Sequence, residues 1–361
     1  MGYAKVLLGV LLVSALSIST AQPLAPFKCS KAGSTCTALI DYVSPNKTTL
    51  SVIQNLFQVK KFRNLLGVNN FSSTASENQT ISAQQKIRIP FTCFCSNGTG
   101  LSNRSPVYTV VGGDGLDHIA AEVFSRLVTY QEIAAANGVA DVNKIDVGQE
   151  LWIPLPCSCD DVDGLKVVHY GHLVDAGSTV DGIAEQYGTT SSTLLSLNQM
   201  TNASDLKAAQ VLDVPLKGSN FAFLKIVFIN AIGRLLIALE SGHKMPRVAA
   251  CSHTSLDYPL LVAKDTYFYT ARNCIKCACD PANNYTSLKC EASGLKPLSN
   301  WTACPAMQCE GAGNTQYIGN VSSSGCNQTT CAYTGYDSQT IFASLVTEST
   351  CPGWCNLLSL L

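Results

Sequence analysis

The sequence predicts an α+β protein: three tandem βααβ repeats stapled by disulfides, followed by a small cysteine-rich module. Three observations carry this prediction. First, the phrases Ile87-Arg88-Ile89-Pro90-Phe91-Thr92, Leu151-Trp152-Ile153-Pro154-Leu155-Pro156 and Leu212-Asp213-Val214-Pro215-Leu216 each close a segment of about fifty residues, and recurrence at such a period marks a repeat architecture. Second, two of these phrases run directly into Cys-x-Cys pairs, Cys93-Phe94-Cys95 and Cys157-Ser158-Cys159. Third, within each segment the apolar pattern switches from alternation to helical spacing and back.

Residues 1–21 read as a secretory signal, with Lys5 before an apolar stretch at 6–18 and Ser19-Thr20-Ala21 as a small-residue cleavage site. Export to an oxidising compartment makes the 17 cysteines disulfide candidates. Ten Asn-x-Ser/Thr sequons point to a glycosylated surface protein: Asn46, Asn70, Asn78, Asn97, Asn103, Asn202, Asn284, Asn300, Asn320 and Asn327. A net charge of −1 supplies no electrostatic footprint for nucleic acid or anionic lipid.

The first repeat, within 22–96, is the most divergent. Its strand is expected at 39–43, its helices at 50–57 and 62–66, and its return at 86–90. The middle repeat, within 97–160, is the clearest. Residues 107–111 alternate and are β-branched, which predicts a strand. The run Gly112-Gly113-Asp114-Gly115 breaks it. Asp117 is placed to cap a helix whose apolar face is Ile119, Ala120, Val123 and Phe124. Thr129 can cap a second helix, and Glu132 three residues on completes a capping box. Asn137-Gly138 stops that helix, and 149–154 return as a strand. The third repeat, within 161–217, repeats the order with a strand at 172–174, helices at 180–187 and 193–197, a stop at Asn198 and a return at 211–215.

Units this short have marginal cores. Disulfides offset that by about 2–4 kcal/mol each. Cys29, Cys36, Cys93, Cys95, Cys157 and Cys159 surround the first two repeats, and spacing alone leaves every pairing among them open. Residues 218–249 break the character of the chain. Positions 221–239 are strongly apolar but carry Lys225 and Arg234, each costing about 2.5–3.5 kcal/mol at a bilayer centre. They read as an intervening sequence, such as a retained intron, whose removal joins Lys217 to Ala250. Residues 250–351 form the cysteine-rich module with ten cysteines. Cys274-x-x-Cys277 has zinc spacing, but the secretory context favours disulfides. Residues 352–361 form an aberrant tail that holds the odd Cys355 and is too short for a membrane span of about 20 residues or for a GPI signal.

The strand-to-helix loop and the helix-to-strand loop of each unit make a candidate glycan groove. In the middle repeat, Gly113 and Gly115 let the backbone approach a sugar closely. Leu116, Val142 and Ile145 are placed to cover acetyl methyls or a pyranose face, and Asp114, Asn143 and Lys144 to hydrogen-bond hydroxyls, with Asn137, which opens the second loop, also counted among the ligand-binding residues. The corresponding loops are 44–48 with 67–70 in the first repeat, where glycans on Asn46 and Asn70 would obstruct the groove, and 176–179 with 198–206 in the third. One groove binds weakly, so repeats engaging one polymer gain through effective concentration.

Longer stretches give the chain a family resemblance: residues 41–50 (DYVSPNKTTL), 128–133 (VTYQEI), 151–160, Val167-Val168-His169-Tyr170, 213–217 and 331–336 (CAYTGY). With the repeats, the Cys-x-Cys separators and the cysteine-rich tail, they resemble the plant LysM domain-containing GPI-anchored receptor-like proteins. Residues 44–50 and Val167-Val168-His169-Tyr170 look closer to the peptidoglycan-binding members than to the chitin-binding ones. The resemblance implies LysM repeats paired through Cys29–Cys95, Cys36–Cys159 and Cys93–Cys157. It also implies a non-enzymatic pattern-recognition receptor of plant innate immunity, without cofactor or metal, at the outer face of the plasma membrane. Its ligands would be chitin or peptidoglycan oligosaccharides, its partner a LysM receptor-like kinase, and long glycans would bring two copies together. The competing classes are a glycan hydrolase and a structural wall protein. The hydrolase needs two carboxylates about 5–9.5 Å apart across a cleft, for which Asp160, Asp161, Asp163, Glu122, Glu132 and Glu150 are the candidates.

Overall fold

The computed structural model describes residues 27–217, 255–257, 261–263, 266–279, 288–298, 301–309 and 316–349. The signal sequence, the apolar segment 218–249, the tail 352–361, Asn284 and Asn300 lie outside the described residues. The strand–helix–helix–strand order recurs three times. The first unit comprises β1 (Thr35–Val43), a short β2 (Thr48–Thr49), α1 (Leu50–Leu56), α2 (Phe62–Val68), a short β3 (Thr80–Ile81) and β4 (Lys86–Ser96). After a linking strand β5 (Thr99–Ser102), the second unit comprises β6 (Val107–Thr109), α3 (Leu116–His118), α4 (Tyr130–Asn137) and β7 (Glu150–Trp152). A second linker β8 (Pro156–Cys157) leads to the third unit: β9 (Val167–Leu173), α5 (Val180–Tyr187), α6 (Ser191–Leu197) and β10 (Val211–Lys217). In every unit the outer strands pair antiparallel, β1 with β4, β6 with β7 and β9 with β10.

The units are not beads on a string. One six-stranded sheet runs in the order β10-β9-β1-β4-β5-β8, so the first and third units share it while the β6–β7 ladder stands apart. The joint is a parallel pairing of β1 with β9, Leu39 opposite Tyr170 and Ile40 opposite Gly171. Strand alternation lets β1 serve two cores. Ile40 and Tyr42 pack with Ile53, Leu65 and Ile87, while Leu39 packs with Val168, Tyr170 and Leu212. The first core continues into the second unit through Leu116, Ile119, Phe124 and Ile133.

Several elements run longer than their local pattern suggests. β1 starts at Thr35 because Thr35 and Cys36 pair with Phe94 and Cys93, and β4 continues to Ser96 because Cys95 and Ser96 pair with Gly100 and Thr99 of the linking strand that follows. β9 begins at Val167, since Val167, Val168 and His169 each find a partner on β10. The first helix of the second unit differs more. Gly115, not Asp117, is its N-cap, and beyond His118 it widens into a π-turn over Ile119–Val123. The added residue lets Ile119, Phe124 and Leu127 all reach the core at 0% exposure. The second helix follows its pattern closely. Thr129 Oγ1 accepts from the Glu132 backbone N–H at 3.2 Å, and Glu132 Oε2 accepts from the Thr129 N–H at 2.7 Å. Gly138 ends it at φ 65°.

Among the described residues, disulfides join Cys29–Cys95, Cys36–Cys159 and Cys93–Cys157 around the linkers, and Cys274–Cys304, Cys277–Cys290 and Cys309–Cys331 in the C-terminal module. That module holds a three-stranded sheet of β11 (Tyr267–Thr270), β12 (Ile275–Cys279) and β13 (Leu288–Ala292). It also holds a β14–β15 ladder (Gln308–Cys309, Gln316–Tyr317) and a sheet of β16 (Val321–Ser324), β17 (Asn327–Tyr336) and β18 (Ile341–Ser349). Tyr267 and Tyr269 insert into the first core. The approach is so close that a Cβ on Gly67 would sit 2.0 Å from the Tyr267 carbonyl oxygen. Among the described residues no helix is long and apolar enough to cross a membrane.

Candidate functional site

The geometry of the second unit depends on one asparagine. Asn137, in the last turn of α4, donates from Nδ2 to the carbonyls of Ile133 and Trp152, both at 2.8 Å. Its Oδ1 accepts the Trp152 backbone N–H at 2.8 Å. One side chain therefore caps a helix carbonyl and extends the edge of β7, joining helix to strand. The same clamp recurs in the other units. Asn69 holds Leu65 and both backbone groups of Arg88, and Asn198 holds Leu194 and both backbone groups of Asp213. Asn137 thus has a structural occupation that differs from the ligand-contacting role expected of it.

Two further expected contacts are also spent inside the protein. Leu116 is 2% exposed and packs in the first core with Ile119 and Phe124. The Asp114 side chain is buried at 4% exposure. It accepts the Val111 N–H at 2.8 Å and the Tyr108 hydroxyl at 2.9 Å, closing the glycine turn on itself. Burial and then this bond to Asp114 push the Tyr108 hydroxyl up to about 12, so it stays a donor. Gly113 sits at φ 95°, which keeps that turn for glycine, whereas Gly115 serves as the extended N-cap.

The remaining expected residues stay available to a ligand. Val142 and Ile145 are half-buried against the core, and Asn143 and Lys144 are exposed. Asp141 organises this stretch, accepting the Asn143 N–H at 3.1 Å with Lys144 Nζ 3.3 Å away. Those bonds hold the Asp141 carboxyl below its usual range, the Asn143 N–H contributing most. The structure adds two residues that the sequence reading missed. Val111 is 55% exposed and Val147 is 72% exposed. The β6–β7 ladder ends where Val110 N–H meets the Gln149 carbonyl and Gly148 N–H meets the Val110 carbonyl. Val111 and Val147 step off its two strands together. The signal was present in the alternation: with Val110 buried, Val111 must face out. The loop pair therefore offers the exposed Val111 and Val147, the half-buried Val142 and Ile145, a glycine-rich backbone, and Asn143 and Lys144.

Four of the six candidate acid–base groups have other duties, and the remaining two, Glu122 and Glu150, are exposed. Both Asp160 oxygens accept the Ser30 N–H, at 2.9 and 2.8 Å. Asp161 pairs with Lys31 at 2.9 Å and Asp163 accepts the Thr193 hydroxyl at 3.0 Å. Glu132 closes its capping box, and burial raises its carboxyl above the usual range against the bonds from Thr129.

A cavity of about 480 Å³ lies where β1, β4 and β9 meet, a place no local sequence pattern marks. Asp41 at its floor is 0% exposed. It accepts from the Tyr170 hydroxyl and from the Leu173 N–H at 3.1 Å, and sits 2.9 Å from His172 Nδ1. Lys86 Nζ bridges Asp41 at 3.5 Å and Asp175 at 3.0 Å. The Arg88 guanidinium lies 5.1 Å over the Tyr170 ring. Burial acts to lower the Arg88 pKa, but Tyr170 and Asp41 outweigh it and the guanidinium is held more firmly charged. Burial first, and Asp41 second, raise the Tyr170 and Tyr187 hydroxyls.

Three clamped βααβ units, fastened by disulfides around Cys-x-Cys linkers, define a LysM-type protein. The LysM domain family model matches residues 108–154 and 172–215, the second and third units. The chain is 41% identical over 341 residues to LysM domain-containing GPI-anchored protein 2 of Arabidopsis thaliana, covering 94% of this chain and 87% of that protein. It is 38% identical over 332 residues to the chitin elicitor-binding protein of Oryza sativa subsp. japonica, covering 90% and 82%. A solved receptor-like kinase ectodomain aligns at 22% identity and TM-score 0.43, over 51% of this chain and 93% of that one. The chain belongs to the family of LysM domain-containing GPI-anchored proteins.

Proposed function

We propose that this protein is a cell-surface receptor for glycans built from N-acetylglucosamine, chitin or peptidoglycan fragments, and that the second unit carries the principal groove. The observation that carries the reading is the exposed apolar rim of Val111 and Val147 beside a glycine-rich turn. An acetamido sugar presents methyls and a pyranose face to such a rim, and amides and hydroxyls to backbone groups and to Asn143. The binding role of the rice relative supports the ligand class. Gly113 and Gly115 lack the Cβ that would hold a sugar away from the backbone. The first unit, with its Asn69 clamp, is a third LysM domain on this reading. Attachment to the outer face of the plasma membrane by a GPI anchor, and signalling through a LysM receptor kinase, complete the role.

The test is retention of the secreted ectodomain on insoluble chitin and on peptidoglycan, with soluble oligomers competing. Retention on either polymer that long soluble oligomers compete away better than short ones supports the reading. Failure to bind both ends it, and release of shortened products would return the hydrolase.

A further inference from the structure

The cavity between the first and third units has a sugar-bearing residue built into its rim. Asn70 lines it, is exposed, and heads the sequon Asn70-Phe71-Ser72. Its root is fixed on both sides. The Asn70 N–H bonds the Gly67 carbonyl at 3.1 Å, the Phe71 N–H bonds the Leu66 carbonyl at 3.0 Å, and the Tyr267 hydroxyl bonds the Phe71 carbonyl at 2.7 Å. Asn70 itself stands at φ 52°, in the left-handed region that asparagine tolerates. A glycan attached to its side-chain nitrogen therefore starts at the mouth of the cavity.

We propose that the N-linked glycan of Asn70 folds back into this cavity, so that its core N-acetylglucosamine residues form part of the packing between the first and third units. The volume of about 480 Å³ falls within the range of small-ligand sites, about 300–1,000 Å³. Its lining is also balanced in charge: Lys86 and Arg88 against Asp41 and Asp175, with Lys86 bridging both carboxylates. That balance suits a neutral sugar better than an anion or a cation. Tyr187 supplies a ring, and the amide of Gln186 and the ammonium of Lys86 supply hydrogen-bonding groups. Attachment does the rest. A tethered ligand faces its site at an effective concentration of about millimolar, so an affinity too weak to hold a free sugar still fills the cavity. The consequence is a closed seam: external glycans are excluded from the first unit and left to the others. This inference does not depend on what the second unit binds.

The experiment uses the full secreted chain from a glycosylating host. Glycopeptide mass spectrometry should find Asn70 occupied. Under native conditions an endoglycosidase that cuts within the core should release the Asn70 glycan at least tenfold more slowly than the glycan of Asn202, which is exposed and lies outside the cavity. Tyr187→Ala should abolish that protection, and Tyr187→Phe, which keeps the ring, should retain it. An unoccupied Asn70, equal release from the two sites, or protection that survives Tyr187→Ala would overturn the proposal. Tyr187→Phe reports on the ring even if Tyr187→Ala fails to fold.

Discussion

The side chain of Asn137 makes three hydrogen bonds, two of them to the backbone of Trp152, and thereby sets the distance between the last turn of α4 and the returning strand. Asn69 with Arg88 and Asn198 with Asp213 repeat the arrangement. The clamp fixes the position of the loop that begins after Gly138, and so of half the proposed groove.

Asn137→Ala should therefore cost about 2–3 kcal/mol, because it strands the Trp152 N–H and carbonyl without partners. Chemical denaturation of the secreted ectodomain measures this. Asn137→Asp keeps the acceptor and loses the donor, so it should fall between the variant and wild type. A cost below about 0.5 kcal/mol for Asn137→Ala would mean that water replaces the clamp.

The rim and the core of the second unit should separate cleanly in a binding assay. Val147→Asp places a charge on an exposed rim and should weaken binding of N-acetylglucosamine oligomers at least tenfold with little change in stability. Leu116→Ala empties a buried site and should cost about 2–5 kcal/mol. Calorimetric titration with thermal unfolding of both variants distinguishes the two effects.

The third unit should lose stability as the solution turns alkaline. His169, 1% exposed, lies 2.9 Å from both carboxylate oxygens of Asp213 on the neighbouring strand. Burial acts to lower its pKa, but Asp213 outweighs burial and the folded value lies above the ordinary 6.5. A raised folded pKa means that the native state holds the proton more tightly than the unfolded chain does. The contribution is thus complete below pH 6.5 and is lost as pH rises through the folded value. Unfolding free energies measured from pH 5 to 9 should fall over that window, and His169→Gln should flatten the decline.

Gly67→Ala tests the docking of the C-terminal module. The new methyl meets the Tyr267 carbonyl, a backbone atom that cannot turn aside. A cost of about 1–3 kcal/mol or more follows, with faster hydrogen exchange expected in β11. Unchanged exchange would indicate that the module does not lean on α2.

The local elements were legible because their signals are local. Thr129 and Glu132 announce a capping box three residues apart, and Gly138 announces the stop. Helix 180–187 was readable to the residue from its apolar face. The π-turn was not, since its cause is the need to bring Ile119, Phe124 and Leu127 onto one core. The occupation of Leu116 and Asp114 was hidden for the same reason: a leucine after a glycine turn faces in or out according to a helix rotation that the core decides. The cavity was the least legible feature. Asp41 and Tyr170 meet from 129 residues apart, and only a charge inside each of the apolar runs Ile40-Asp41-Tyr42 and Ile87-Arg88-Ile89 hinted at it.

The parallel pairing of β1 with β9 also orders events during synthesis. As the chain emerges, β1 finds β4 early, but its other edge has no partner until Val167–Leu173 has been made. At about 5–20 residues per second that wait is on the order of ten seconds, during which an apolar strand edge lies open to any other chain. The sequence spans that interval with five sequons in the first unit and its linker, Asn46, Asn70, Asn78, Asn97 and Asn103, all on exposed positions. Sugars added there as the chain enters the secretory pathway would surround the unfinished sheet with bulky hydrophilic groups until the third unit arrives to close it.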